Sequence, residues 1–215
     1  MKQVGFDLFK KTKMIGRRAL EILFIWGLGS LFYACFWFWY VGFRRKITAE
    51  EVDEIMVFFN SHDSISEKRK MSLQKFFSND DGKDFVMVNL LDLAKPRRES
   101  SKKLAAYQKV FLGALLRKAG HPVFVATAAS SNIENVACEH ADDWSVAAMV
   151  RYRSRRDLLE ILPETFGSEH HALKLASLDK TFAFPAAPWF IFGGPRIVMA
   201  LATALIAALV QCIIV

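Results

Sequence analysis

Cysteine is scarce in this chain, and its placement excludes several chemistries. Of three cysteines, Cys35 and Cys212 fall inside apolar runs and only Cys138 belongs to the middle of the chain. No disulfide can form within that middle, and no C-x-x-C pair exists for metal or redox work. Also missing are the P-loop, G-x-G-x-x-G, G-x-S-x-G and H-E-x-x-H patterns, so no motif supplies a phosphate cradle, an activated serine or a zinc helix. Adjacent His170 and His171 point different ways on a helix, while His121 and His140 fall in turns. A zinc site needs three or four convergent ligands. The sequence therefore assigns no metal site and no catalytic residue, and it leaves the cofactor open.

Charge is absent from two stretches. Ile22 to Phe43 and Ile197 to Val215 hold no Asp, Glu, Lys or Arg. Each is about long enough to cross a hydrocarbon core as a helix, which takes roughly 20 residues. The formal net charge of +7 has one source: residues 1–46 carry nine Lys/Arg against Asp7 and Glu21, and the remainder balances to zero. A neutral middle excludes a nucleic-acid partner. The basic excess sits instead where anionic lipid would attract it.

The ends fit a membrane setting. Residues 1–18 read as a basic amphipathic tail, with Phe6 and Phe9 among Lys10, Lys11, Arg17 and Arg18. The first span, 19–43, ends in Trp37, Trp39, Tyr40 and Phe43, an aromatic belt, before Arg44, Arg45 and Lys46 mark the headgroups. Residues 186–196 form a second interfacial segment with Trp189, Phe190 and Arg196, leading into the second span, 197–215. There Ala200, Ala204 and Ala208 make a small-residue row that suits close helix packing. Six Lys/Arg precede the first span, against Arg44, Arg45, Lys46 and Arg196 on its other side. That balance puts the N-terminus inside and the middle outside, as in a bacterial inner-membrane protein with a periplasmic domain. A cytoplasmic domain is the alternative.

Residues 44–81 read as a helical linker. Thr48-x-x-Glu51 and Ser64-x-x-Glu67 are capping-box patterns. Val52, Ile55, Met56 and Phe59 share one face of the first helix, and Met71, Leu73, Phe76 and Phe77 mark the second. Residues 82–185 then alternate strand and helix: an apolar run at 85–91, a helix through Leu104, Tyr107, Phe111 and Leu115 that stops at Gly120, and a strand from Pro122. A third strand opens at Trp144, which alternates with Val146, Ala148 and Val150 and should be buried. Ser154 caps a helix reaching Pro163, a short helical turn follows from His170, and Lys180 begins a fourth strand. The order is β-α-β-β-α-β, so the fold class is α+β, a ferredoxin-like domain between two transmembrane helices. One sheet face would take two helices, and the other would be buried by a second copy. Arg151, Arg153, Arg155 and Arg156 form a basic run that reads as a solvated edge, with an anion site by Ser154 as the alternative.

The stretches VMVNLLDLAK, WSVAAMVRYRSRRDLLE and HHALKLASL, with Tyr107 and Gly120 between them, resemble the DUF1330-type proteins of the dimeric α+β barrel superfamily. The resemblance covers about residues 82–185 and is nearest to a membrane-anchored version. It implies a pocket between sheet and helices, with Asn89, Tyr107, Trp144, Arg151, Tyr152, Arg155 and His170 as its candidates. The leading expectation is an accessory membrane protein that docks or self-associates in a larger complex, its partners being lipids, other membrane chains or a second copy. The alternative is an anchored small-molecule-binding protein or an oxygenase- or isomerase-like enzyme. A cavity lined by Tyr107, Trp144 and His170 with convergent polar groups would favour the second reading, and a filled cavity with the spans buried against other chains the first.

Overall fold

The computed structural model describes residues 2–61, 65–137, 143–165, 169–189 and 191–214. Ser64, Cys138, His140, Asp142 and Phe190 lie outside the described residues, as do the side chains of His170 and of the tail residues 2–13. Three helices come first: α1 (Lys2–Val41), α2 (Ala49–Asn60) and α3 (Glu67–Ser78). Then come β1 (Phe85–Leu93), α4 (Arg97–Arg117), β2 (His121–Thr127) and β3 (Val146–Tyr152). α5 (Arg155–Thr165), α6 (Glu169–Leu175), β4 (Leu178–Ala186) and α7 (Pro195–Ile214) complete the order. The chain divides into a helical unit, Met1–Tyr40 with Phe190–Val215, and a globular unit, Val41–Trp189.

In the helical unit, the basic tail and the first apolar run form one continuous helix. Gly16–Val41 and Pro195–Ile214 are long and apolar enough to cross a membrane. α1 and α7 run antiparallel. The Trp26 indole donates to Gln211 Oε1 at 2.7 Å, and the Tyr33 hydroxyl donates to the Arg196 carbonyl at 3.2 Å. Gly29 lets the helices approach: a Cβ there would stand 3.4 Å from Thr203 Cγ2 and 3.7 Å from the Ala207 Cβ. Small residues serve close packing where no hydrophobic force distinguishes helix from lipid.

The globular unit is α+β, with a four-stranded antiparallel sheet in the order β2-β3-β1-β4. Strand side chains alternate between faces. Met87 pairs with Val150 and Pro185, and Asn89 with Ala148 and Ala183, so these residues share one face. On that face Phe85, Val150 and Tyr152 form a core with Ala114 and Leu115 of α4 and Ile161 of α5. The opposite face carries Val88, Leu90, Phe124, Met149, Phe182 and Phe184. Its aromatics are open to solvent, with Phe124 47%, Phe182 55% and Phe184 44% exposed.

The α2–α3 pair has its own core of Val52, Ile55, Met56, Phe59, Ile65 and Phe77, against which Leu158, Leu159 and Leu162 of α5 pack. Thr48 and Glu51 form the expected capping box. α3 starts later than the Ser64 pattern implies, with Ser66 as its N-cap and no side-chain cap bond. Met71, expected on the inner face of α3, is 68% exposed.

β3 likewise begins two residues late. The Ser145 N–H bonds the Leu91 carbonyl, its hydroxyl donates to Asp92 at 2.5 Å, and the ladder starts at Val146. Trp144 therefore precedes the strand and is half-buried, not buried. At the end of α4, Ala119 takes the left-handed conformation, φ 54°. Gly120 serves proximity: a Cβ there would fall 2.4 Å from Leu115 Cδ1 and 2.9 Å from the Arg151 carbonyl.

Candidate functional site

A cavity of about 340 Å³ lies between the inner sheet face and helices α4, α5 and α6. Its walls are mostly apolar: Met87, Leu91, Leu104, Phe111, Val150 and Leu158 are among them. Asn89, Tyr107, Gln108, Tyr152, His171 and Lys174 converge on it. Each reaches it through an element's periodicity. Asn89 and Tyr152 are inward residues of β1 and β3. Tyr107 and Phe111 stand four apart on α4 and stack, with centroids 5.7 Å apart at 12°. His171 and Lys174 stand three apart on α6, so they share a face.

The electrostatics of the cavity follow from burial. The Tyr107 phenol is pushed up to about 12 by desolvation. Tyr152 is pushed up by desolvation first, then by Tyr107 beside it. Both therefore stay protonated as hydrogen-bond donors. His171 is held below the ordinary histidine value, chiefly by burial and then by the charge of Lys174. Lys174 is lowered by burial and then by Arg69. Its Nζ lies 5.7 Å from the Tyr107 ring centre. No carboxylate of the described residues lines the cavity or pairs with that ammonium.

Of the residues expected at a pocket, the structure brings Asn89, Tyr107 and Tyr152 together. Trp144 lies elsewhere, on a separate cleft with Leu93, Arg97, Thr127 and Ser130, and Lys180 Nζ sits 4.9 Å over its ring. Arg151 points to the opposite side of the sheet from Tyr152. It is 1% exposed, and it donates to Asp84 at 2.9 Å and to the Ala119 carbonyl at 3.0 Å. Arg155 donates to the Phe76 carbonyl at 2.6 Å and covers the Phe76 ring, joining α5 to α3. The basic run as a whole is engaged by the protein's own groups. Arg153 grips Asp157 with two bonds of 2.7 and 2.8 Å, and Arg156 grips Glu51 with two of 2.5 and 2.6 Å. Gln108, His171 and Lys174 were not among the sequence candidates. Only the i, i+3 spacing of His171 and Lys174 hints at a shared face.

At the ends, Trp39 is 52% exposed and Phe43 88%, and Trp189 is fully exposed. Arg44, Arg45 and Lys46 are also exposed. The Arg196 guanidinium lies 5.8 Å from the Trp37 ring centre and 5.6 Å from that of Tyr40. In α7, Ala204 is exposed, and Ala200 and Ala208 are half-buried. The surface that meets α1 runs instead through Thr203 and Ala207. Among the described residues, no group of three or more His, Cys, Asp or Glu could hold a metal ion.

No protein-family model matches the chain, and no curated protein matches it. Among solved structures, it is similar to the RPA0582 protein of unknown function from Rhodopseudomonas palustris. The TM-score is 0.46 at 16% identity, over 59% of this chain and 95% of that one. A NIPSNAP-like domain protein from Burkholderia xenovorans is similar at TM-score 0.34 and 10% identity, over 52% of this chain and 90% of that one.

Proposed function

We propose that this chain is a membrane-anchored small-molecule-binding protein whose globular unit is a ferredoxin-like domain of the DUF1330 type. The open cavity carries this reading, because polar side chains from the sheet and from α4 and α6 converge on a mostly apolar hollow. Ligand sites have that composition, and their volumes begin at about 300 Å³. A purely structural domain would fill such a space with side chains, since interiors pack to crystal-like density. The strand order β2-β3-β1-β4, antiparallel throughout, supports the ferredoxin-like assignment. The two long apolar helices support the anchor, and the Lys/Arg balance supports a globular unit outside a bacterial inner membrane. Native mass spectrometry of the full chain in a mild detergent tests the binding role. A co-purifying small molecule is expected, and Ala148→Leu, which puts bulk into the cavity, should displace it. A chain that carries nothing, and that Ala148→Leu leaves unaltered in every binding assay, would refute the role.

The second reading is self-association within the membrane, and a different observation favours it. Phe124, Met149, Phe182 and Phe184 give the outer sheet face an apolar surface, of the kind that marks interaction sites. A second copy would cover it face to face, as in a barrel-like dimer. Light scattering of the detergent-solubilised chain should give a dimer, and Phe184→Asp should give a monomer. A wild-type monomer would remove this reading.

A further inference from the structure

We propose that the ligand of the cavity is an apolar monocarboxylate, its carboxylate against the Lys174 ammonium and its body along Tyr107, Phe111 and Tyr152. This rests on the binding role above. A half-buried ammonium whose described contact is an aromatic face is under-compensated, because buried charges are normally paired. The cavity walls supply no described carboxylate to pair it. What they supply is neutral donors: the Tyr107 and Tyr152 hydroxyls and the Asn89 and Gln108 amides. Neither tyrosine hydroxyl has a hydrogen-bond partner among the described residues, although Tyr152 is only 5% exposed. The Asn89 amide already donates to the Met87 carbonyl at 3.0 Å, which leaves the tyrosine hydroxyls and the Gln108 amide. A cation that shares a cavity wall with such donors is the complement of an anion.

The charge of that anion is limited to one. His171 lies on the same face of α6, and burial together with Lys174 disfavours its cationic form. Arg69 is near enough to lower both Lys174 and His171, but it is exposed and is not on the described cavity wall. Lys174 is thus the one lysine or arginine among the described lining residues, a point charge, whereas doubly charged phosphate groups call for arginine forks or several cations. Arg151, Arg153, Arg155 and Arg156 are committed to Asp84, Asp157, the Phe76 carbonyl and Glu51. The remaining wall is aliphatic and aromatic, which demands an apolar body.

The test uses the full chain in lipid nanodiscs with two acid–alcohol pairs, decanoate with decanol and 2-naphthoate with 2-naphthalenemethanol. Affinity is read by calorimetry against empty nanodiscs, and occupancy by protection of Lys174 from reductive methylation. At least one acid should bind roughly tenfold or more tighter than its alcohol and should protect Lys174. Decanoate as the better ligand points to an acid drawn from the membrane, and 2-naphthoate to a soluble aromatic acid. Lys174→Met should remove the acid's advantage, bringing its affinity down to that of the alcohol for the same variant, and Lys174→Arg should restore part of it. Equal binding of acid and alcohol, unmoved by Lys174→Met, would overturn the anion assignment and leave the cavity a binding site. Failure of all four probes, with Lys174 equally reactive throughout, would overturn both.

Discussion

The ammonium of Lys174 stands 5.7 Å from the face of Tyr107 and has no carboxylate partner among the described residues. A cation over an aromatic ring recovers about 0.5–2 kcal/mol, less than a buried charge loses on leaving water. Lys174→Met keeps the volume and removes the charge, so it should stabilise the globular unit by about 1–2 kcal/mol. For a protein of this size the thermal midpoint would rise by about 2–8 °C. Calorimetric melting checks this, and a lowered midpoint would make Lys174 a stabilising residue.

Glu51 shows the opposite electrostatic sign. The Arg156 fork first, and then the Thr48 N–H, hold its carboxyl down to about 2. A carboxyl lowered on folding contributes stability above its unfolded value near 4.5, and that stability is lost as pH falls from there toward 2. Glu51→Gln should therefore cost up to about 1 kcal/mol at pH 7, the site being partly exposed. Denaturant midpoints of the two proteins should converge between pH 4.5 and 2. A gap that stays constant with pH would contradict the ion pair.

Gly120→Ala should destabilise by about 1–3 kcal/mol, the usual range for overpacking. Leu115 could shift, but the Arg151 carbonyl belongs to the β3 backbone and cannot. Urea unfolding measures the loss, and an unchanged midpoint would show that the α4–β2 corner gives way.

Trp144→Ala should cost far less than the roughly 3–5 kcal/mol of a fully buried tryptophan. The ring is half-buried and lies outside the ladder, so a loss near 1 kcal/mol in urea unfolding is expected. A loss above 3 kcal/mol would place it in the core.

Cysteines replacing Trp26 and Gln211 should be joined by a short bismaleimide linker, because the two side chains meet between α1 and α7 and their length leaves the backbones too far apart for a direct disulfide. Gly29→Leu should lower the yield several-fold by forcing Thr203 and Ala207 away. A yield unaffected by Gly29→Leu would mean that the helices meet elsewhere.

The sheet was legible in the sequence because its pattern is local. Val146, Ala148 and Val150 alternate as a strand with two faces, and Thr48 with Glu51 announces a helix start. What failed was phase and depth. Arg151 and Tyr152 are neighbours, and one step along a strand moves a side chain to the other face. The sequence pattern puts both at the pocket, and the sheet admits only Tyr152. The alternation also runs through Trp144, but the Asp92–Ser145 bond delays the ladder to Val146. Lys174 escaped notice because a lysine on a seven-residue helix reads as solvated. Its burial comes from α4 lying across α6, a contact between distant parts of the chain that local pattern does not encode.

The globular unit is held by the chain at both ends, between two helices that grip one another through Trp26–Gln211 and Tyr33–Arg196. A single protease cut, at either junction, leaves it attached through the other. Shedding of this unit therefore requires two cleavages, and one nick alone yields a two-chain molecule that still sediments whole.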